Sequence, residues 1–192
     1  MIVVMLMLPP IFTTVIESNN NIETDLEVIS RLAVERMDEN SRFQDYLKRL
    51  PTEAIDAIVY SLNEEISPKI DCTSCGNCCK SLLINVTEEE ADNLSMHLAQ
   101  SRKDFDNQYL EKSSTMMLMN AIPCAFLKEE KCTVYEHRFA GCREFPAMHL
   151  PEFNKRLFTT FMHYSRCPII FNVVEGLKKA VLKESKFNVG SL

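Results

Sequence analysis

Half of the eight cysteines in this chain fall between Asp71 and Lys80, as Asp71-Cys72-Thr73-Ser74-Cys75-Gly76-Asn77-Cys78-Cys79-Lys80. Thiolates spaced C-x2-C-x2-C-C suit the capture of a soft metal ion or an iron–sulfur cluster. A C-x2-C pair can close a tight turn that aims both sulfurs at one centre. Gly76 follows Cys75, where such a turn favours a residue that tolerates positive φ. Backbone N–H groups of the turn can then hydrogen-bond the sulfurs and lower their pKa. A disulfide framework fits the pattern poorly. Neighbouring Cα atoms lie about 3.8 Å apart, whereas a disulfide usually spans about 4.4–6.8 Å, so Cys78 and Cys79 pair with each other only under strain. A secreted disulfide scaffold is also normally shorter and carries a signal peptide.

The other cysteines are Cys124, Cys132, Cys142 and Cys167. Pro123-Cys124-Ala125-Phe126-Leu127 and Cys132-Thr133-Val134-Tyr135 flank a polar tip, Lys128 to Lys131, and together they predict a β-hairpin whose base brings Cys124 near Cys132. The stretch Glu136 to Pro146 reads as a short helix or turn presenting Cys142. Zinc takes four Cys or His ligands, so the thiols could serve two zinc ions, or one cluster with spare thiols. C-x2-C-x2-C followed by a distant Cys-Pro is similar to the bacterial ferredoxin arrangement, with Cys72, Cys75 and Cys78 as ligands and Cys167 or Cys79 completing the set. The histidines, His97, His137, His149 and His163, read as structural or solvated. His163, one helical turn before Cys167, is placed where it could face the site. Arg143 is expected to pair with thiolate charge, or with Glu136 or Glu144.

Helices must position these groups. Residues 1–21 read as a loose tail: an apolar start, Pro9-Pro10, and a polar linker at Asn19 to Asn21. Residues 22–70 read as a helical extension, and 71–185 as the cysteine-cluster domain. Thr24 to Glu27 and Ser41 to Gln44 each match a capping box. The stripes are Leu26, Ile29, Ala33 and Met37; Phe43, Tyr46, Leu47 and Leu50; and, after Pro51, Ala54, Ile55, Ile58, Val59 and Leu62. Leu82 to Val86 reads as a strand. Thr87 and Glu90 form a further capping box, with the acidic run Glu88 to Glu90 as a solvated helix start. Ser101 caps a helix carrying Phe105 and Tyr109. Met116 to Met119 reads as core filler at strand spacing rather than thioether ligation. Phe153, Leu157, Phe158 and Phe161 form another stripe. Pro168 opens a last helix facing inward through Ile170, Val173, Val174, Leu177 and Val181, and the final residues read as disordered.

The net charge of −6 argues against broad binding to nucleic acid or to an anionic membrane. The apolar start is shorter than the about 20 residues that span a bilayer. It also lacks the basic n-region of a signal peptide, because the first Lys or Arg is Arg31. A cytoplasmic, reducing location follows and agrees with thiol–metal chemistry.

C-x2-C-x2-C-C, then Pro-Cys-x-Phe-Leu at 123–127, Cys-x-Val-Tyr-Glu at 132–136 and Cys-Arg-x-Phe-Pro at 142–146, resembles the YkgJ family of cysteine-cluster proteins, described as zinc- or iron-chelating domains. The resemblance covers about Asp71 to Leu177, and every cysteine fits the family's pattern. Where the family usually carries Arg-Pro after the Tyr-Glu block, this chain has Arg138-Phe139. The resemblance implies binding of zinc, or of iron as an ion or an iron–sulfur cluster, by Cys72, Cys75, Cys78, Cys79, Cys124, Cys132, Cys142 and Cys167. Part of the wider family is linked to lysine N-methylation of flagellin, which makes a cluster-dependent protein-lysine methyltransferase the alternative. The expected fold is mainly α, a helical domain with a small β-hairpin built around a cysteine-rich metal or iron–sulfur site.

Overall fold

The computed structural model describes residues 22–188, with side chains described as far as Val181. The expectations for residues 1–21 and for the last residues, 189–192, lie outside this span. The chain opens with α1 (Leu26–Glu35), α2 (Met37–Leu47) and α3 (Thr52–Ile66). Asp25, not Thr24, caps α1: its carboxylate accepts the N–H groups of Glu27 at 2.8 Å and Val28 at 3.2 Å. A carboxylate facing the orphan N–H groups of the first turn also satisfies the helix dipole. Ser41 lies inside α2 and caps nothing, because the break between the helices falls earlier, at Arg36. Met37 therefore begins α2 and is 65% exposed instead of completing the stripe of α1. Pro51 opens α3 as expected.

A 3₁₀ turn at Ser67–Lys69 leads into two very short helices, α4 (Cys72–Cys75) and α5 (Asn77–Ser81). Residues 82–86 then run extended, making one bridge, Asn85 to Leu118, rather than a full strand. Next come α6 (Glu88–His97), with the capping box of Thr87 and Glu90 in place, and α7 (Arg102–Tyr109), capped by Ser101. β1 (Leu110–Lys112) pairs antiparallel with β2 (Met117–Met119), an additional hairpin. β3 (Leu127–Lys128) pairs with β4 (Lys131–Cys132), and Leu127 stands opposite Cys132. Their turn residues, Glu129 and Glu130, both have positive φ, 47° and 64°, as a two-residue hairpin turn of the I′ kind demands. A 3₁₀ turn, α8 (Ala140–Glu144), a further 3₁₀ turn, α9 (Leu157–Met162) and α10 (Pro168–Asn188) complete the chain. The protein is thus mainly helical, with two small antiparallel hairpins. No helix among the described residues is long and apolar enough to cross a membrane.

The apolar side chains form two cores. The first joins α1–α3 to α9 and α10, through Ile29, Leu47, Ile55, Leu62, Val173 and Leu177 among others. α3 and α10 approach closely because Gly176 faces Leu62: a Cβ added at Gly176 would lie 2.8 Å from Leu62 Cδ2. The second core packs α6, α7, β2, the β3–β4 hairpin and the approach to α8 around Phe105, Met117, Met119, Phe126 and Phe139. Met117 and Met119 are buried here while Met116 is exposed, the alternation of a strand. Phe158 departs from its predicted stripe and is 79% exposed.

Charged groups pin the first hairpin of helices to α10. Lys178, only 5% exposed at its side chain, places Nζ 2.8 Å from both the Glu39 and Glu175 carboxylates. Glu175 also pairs with Arg36 and accepts the Tyr164 hydroxyl at 2.7 Å. Removing one partner from such a buried network strands the others' charge or donor. Glu175→Ala is therefore expected to lower unfolding free energy by about 3 kcal/mol, whereas Lys48→Ala, which breaks an exposed pair with Asp45, should cost under about 1 kcal/mol. Urea titration of both variants checks this, and equal losses would contradict it.

Candidate metal centre

The two cores meet at a cavity of about 110 Å³ lined by all of the cysteines: Cys72, Cys75, Cys78, Cys79, Cys124, Cys132, Cys142 and Cys167. Its walls draw Ile70, Phe145 and Ile169 from the first core and its edge, and Phe126, Val134 and Phe139 from the second. All the thiols are free; Cys72 is exposed, Cys167 is buried and the rest are half-buried. Among the described residues, no three Cys, His, Asp or Glu side chains already converge as a finished metal cage. The thiols line the cavity instead.

Local chemistry explains how each arrives. Asp71 caps α4, accepting the Thr73 N–H at 2.9 Å, which starts a helix at Cys72. Cys72 and Cys75 then lie one turn apart on one face. Gly76, at φ 56°, ends α4 and starts α5 in the left-handed region, so the chain turns within one residue. A Cβ there would also meet the Glu130 carbonyl oxygen at 3.0 Å, since the β3–β4 tip sits over this turn. Lys80 pairs with Glu130 across the same contact. The Cys124 N–H donates to the Cys79 carbonyl at 2.8 Å. The Asn77 amide donates to the Arg166 carbonyl at 2.7 Å, beside Cys167. Cys167 then precedes Pro168 at the first turn of α10, where proline is tolerated.

The thiols differ electrostatically. The Cys78 thiol is pulled down to about 6, chiefly by a hydrogen bond from Cys79, with further help from the Cys79 and Cys78 N–H groups and Arg138, against the opposing effect of burial. Cys79, the donor in that bond, is pushed far up. Burial pushes Cys142 and Cys167 each up to about 12, and raises Cys72 and Cys124. Cys78 is thus held nearer its thiolate form at neutral pH, while burial holds Cys72, Cys124, Cys142 and Cys167 toward the protonated thiol.

Arg138 and Arg166 also line the cavity. Arg138 stacks its guanidinium 3.5 Å from the Tyr135 ring centroid and donates through Nε to the Tyr135 carbonyl at 2.8 Å. Its charge favours the thiolates of Cys72, Cys78 and Cys142. Arg143, singled out in the sequence, instead donates to the Arg138 carbonyl and makes no ion pair with Glu136 or Glu144 among the described residues. Position alone pointed to Arg143, next to Cys142; the signal for Arg138 was its place between Cys132 and Cys142. Of the histidines only His163 borders the cavity. It is 9% exposed, its Nδ1 has no hydrogen-bond partner, and burial lowers its pKa and favours neutral imidazole. His97 and His137 stack with ring centroids 3.6 Å apart beside a separate cavity, and His149 is exposed.

A dense set of soft donors, apolar walls and two guanidinium groups fits a thiophilic metal. The family model described as "Putative zinc- or iron-chelating domain", CxxCxxCC, matches residues 71–166, and the chain belongs to that family. No curated protein and no solved structure matches the chain. The matched span ends one residue before Cys167, which the tertiary structure brings to the cavity.

In the metal-free protein at pH 7, Cys78 is expected to be alkylated first by iodoacetamide, with its rate falling as pH drops through about 6. Peptide mapping reads the order, and Cys142 or Cys167 reacting as fast would contradict it. Gly76→Ala should cost about 1–2 kcal/mol from left-handed strain alone. Gly141→Ala, with nothing within 4 Å of the new Cβ, should change thermal stability little.

Proposed function

We propose that this member of the CxxCxxCC family binds iron, as an ion or an iron–sulfur cluster, or zinc, through the cysteine thiolates that border the cavity. The observation that carries the reading is that cysteines from distant parts of the chain all line one cavity, where two cores meet. Buried thiols in an ordinary core sit singly and behave as small hydrophobes. Here they line one cavity, and Cys142 and Cys167 are raised by burial and by neighbouring thiols. A soft cation offsets that rise by neutralising them. Arg138 and Arg166 offset the excess negative charge that a thiolate-rich site leaves.

In this reading residues 71–185 form the metal-binding domain, and residues 22–70 form a helical extension packed on its last helix. A bound metal would serve storage or transfer of the ion, electron transfer, or the stapling of segments that share little other packing. Reducing surroundings would keep the thiols available.

Anaerobic purification followed by metal analysis and absorption spectroscopy tests the reading. Zinc or iron is expected in the parent, with visible absorption if the iron is in a cluster. Cys75→Ser should lower metal content sharply and lower the melting temperature while leaving much of the helical circular dichroism, because the first core has its own apolar packing. His97→Ala should keep its metal, since His97 does not line this cavity. A parent free of zinc and iron, or full occupancy in Cys75→Ser, would overturn the assignment.

A further inference from the structure

We propose that the second cavity, about 540 Å³ between the C-terminal half of α6 and the segment Glu136 to Arg143, binds a small zwitterion, an α-amino acid with an apolar side chain. Arg138 and Arg143 take its carboxylate, and Glu136 takes its ammonium group. Among the described residues no cysteine lines this cavity, so the inference stands apart from the metal-binding reading.

The cavity is framed by contacts that leave its charges unpaired. His97, at the end of α6, stacks on His137 of the 3₁₀ turn with ring planes 27° apart, which sets α6 against the turn. The lining carries two guanidinium groups, Arg138 and Arg143, and two carboxylates, Glu90 and Glu136. Opposite charges gathered at one opening ordinarily pair. Among the described residues none of these four makes an ion pair. Three of them are tethered elsewhere. Glu90 accepts the Ala140 N–H through one oxygen and the Thr87 N–H, at 2.9 Å, through the other. Against the opposing effect of burial, these donors and Arg143 hold its carboxyl below the usual range, so it stays charged. Arg138 is fixed on the Tyr135 ring and the Tyr135 carbonyl. Arg143 is fixed by one Nη on the Arg138 carbonyl. Each guanidinium keeps further N–H donors beyond these bonds. Glu136 is exposed on the turn.

This balance selects the ligand. A plain anion would meet the Glu90 and Glu136 carboxylates, and a plain cation would meet the arginines. A molecule that carries both charges satisfies both. The planar fork of arginine matches a carboxylate through paired N–H donors, and an ammonium group donates to Glu136. Charges already held apart need little rearrangement on binding, which lowers its cost. An apolar surface lies at the same opening: Met96 is 69% exposed there, beside Leu94 and Phe139. An apolar side chain on the ligand would cover it. The volume falls within the range of small-molecule sites, about 300–1,000 Å³.

The test titrates the full chain, as purified, with L-leucine, with isocaproate, which is leucine without its ammonium group, and with isoamylamine, which is leucine without its carboxylate. Calorimetry reads affinity, and imidazole proton resonances, assigned with His97→Ala and His137→Ala, read the place of binding. Leucine is expected to bind at least about tenfold more tightly than either analogue and to shift the His97 and His137 resonances. Arg143→Gln should weaken leucine about tenfold without weakening isoamylamine, and Glu136→Gln should weaken leucine about tenfold without weakening isocaproate. A merely structural role for either residue would not give this crossed pattern. Circular dichroism checks that each variant folds, and either variant alone carries the test. No saturable binding of leucine, isocaproate binding as tightly as leucine, or leucine affinity unchanged in a folded variant overturns the proposal. Metal content, on which the cysteine assignment rests, is unaffected by any of these outcomes.

Discussion

The Cys124 N–H donates to the Cys79 carbonyl at 2.8 Å, and the placement of the cysteine run depends on this joint. α4 and α5 are too short to hold themselves as helices, since one or two turns in isolation do not outweigh the cost of nucleation. They are held from outside. The Cys124 bond, the Lys80–Glu130 pair and the hairpin tip above Gly76 fasten them to the second core. The Asn77 bond to Arg166 fastens them to the first. A pair of weak helices therefore bridges two well-packed cores, and the cysteines they carry come to lie at the seam.

The seam has an electrostatic character that the cores lack. Most of its thiols are half-buried, Cys167 is buried and Cys72 exposed, and burial raises the pKa of Cys142 and Cys167. Cys78 is the exception, because the Cys79 thiol and local N–H groups donate to it. In a chain of net charge −6, a group of thiolates needs nearby positive charge. Arg138 supplies it from a fixed position, stacked on Tyr135 and bonded to the Tyr135 carbonyl. The residue after it, Phe139, stands where the family usually has proline, and its buried ring fills the second core. The site and the core are thus built from adjacent residues of one short segment.

Much of the fold was legible locally. Capping at Thr87 and Ser101, the stripe of α3 and the inward face of α10 depend on spacings of three and four residues, which the chain displays directly. The β3–β4 hairpin announced itself through a polar tip between apolar runs. The misreadings share a cause. Thr24 and Ser41 matched a capping motif, but Asp25 offered a stronger acceptor and Arg36 moved the helix break. Phe158 matched a helical stripe, but α9 is six residues long and turns only part of its circumference to the core. Leu110 to Lys112 carries two exposed charged residues and no strand signal, and pairs only because β2 is beside it.

The sequence alone determined the thiols: cysteine count, C-x2-C-x2-C-C spacing, and a glycine where the turn requires positive φ. These are properties of neighbouring residues, set by the reach of a few peptide units. Tertiary structure decided what faces the cavity. It brought Cys167 to sulfurs that lie far from it along the chain, chose Arg138 over Arg143, and turned His163 inward while leaving His97 and His137 stacked elsewhere. Those choices depend on how two apolar cores meet. That meeting is set by the summed burial of many side chains, which no local spacing records.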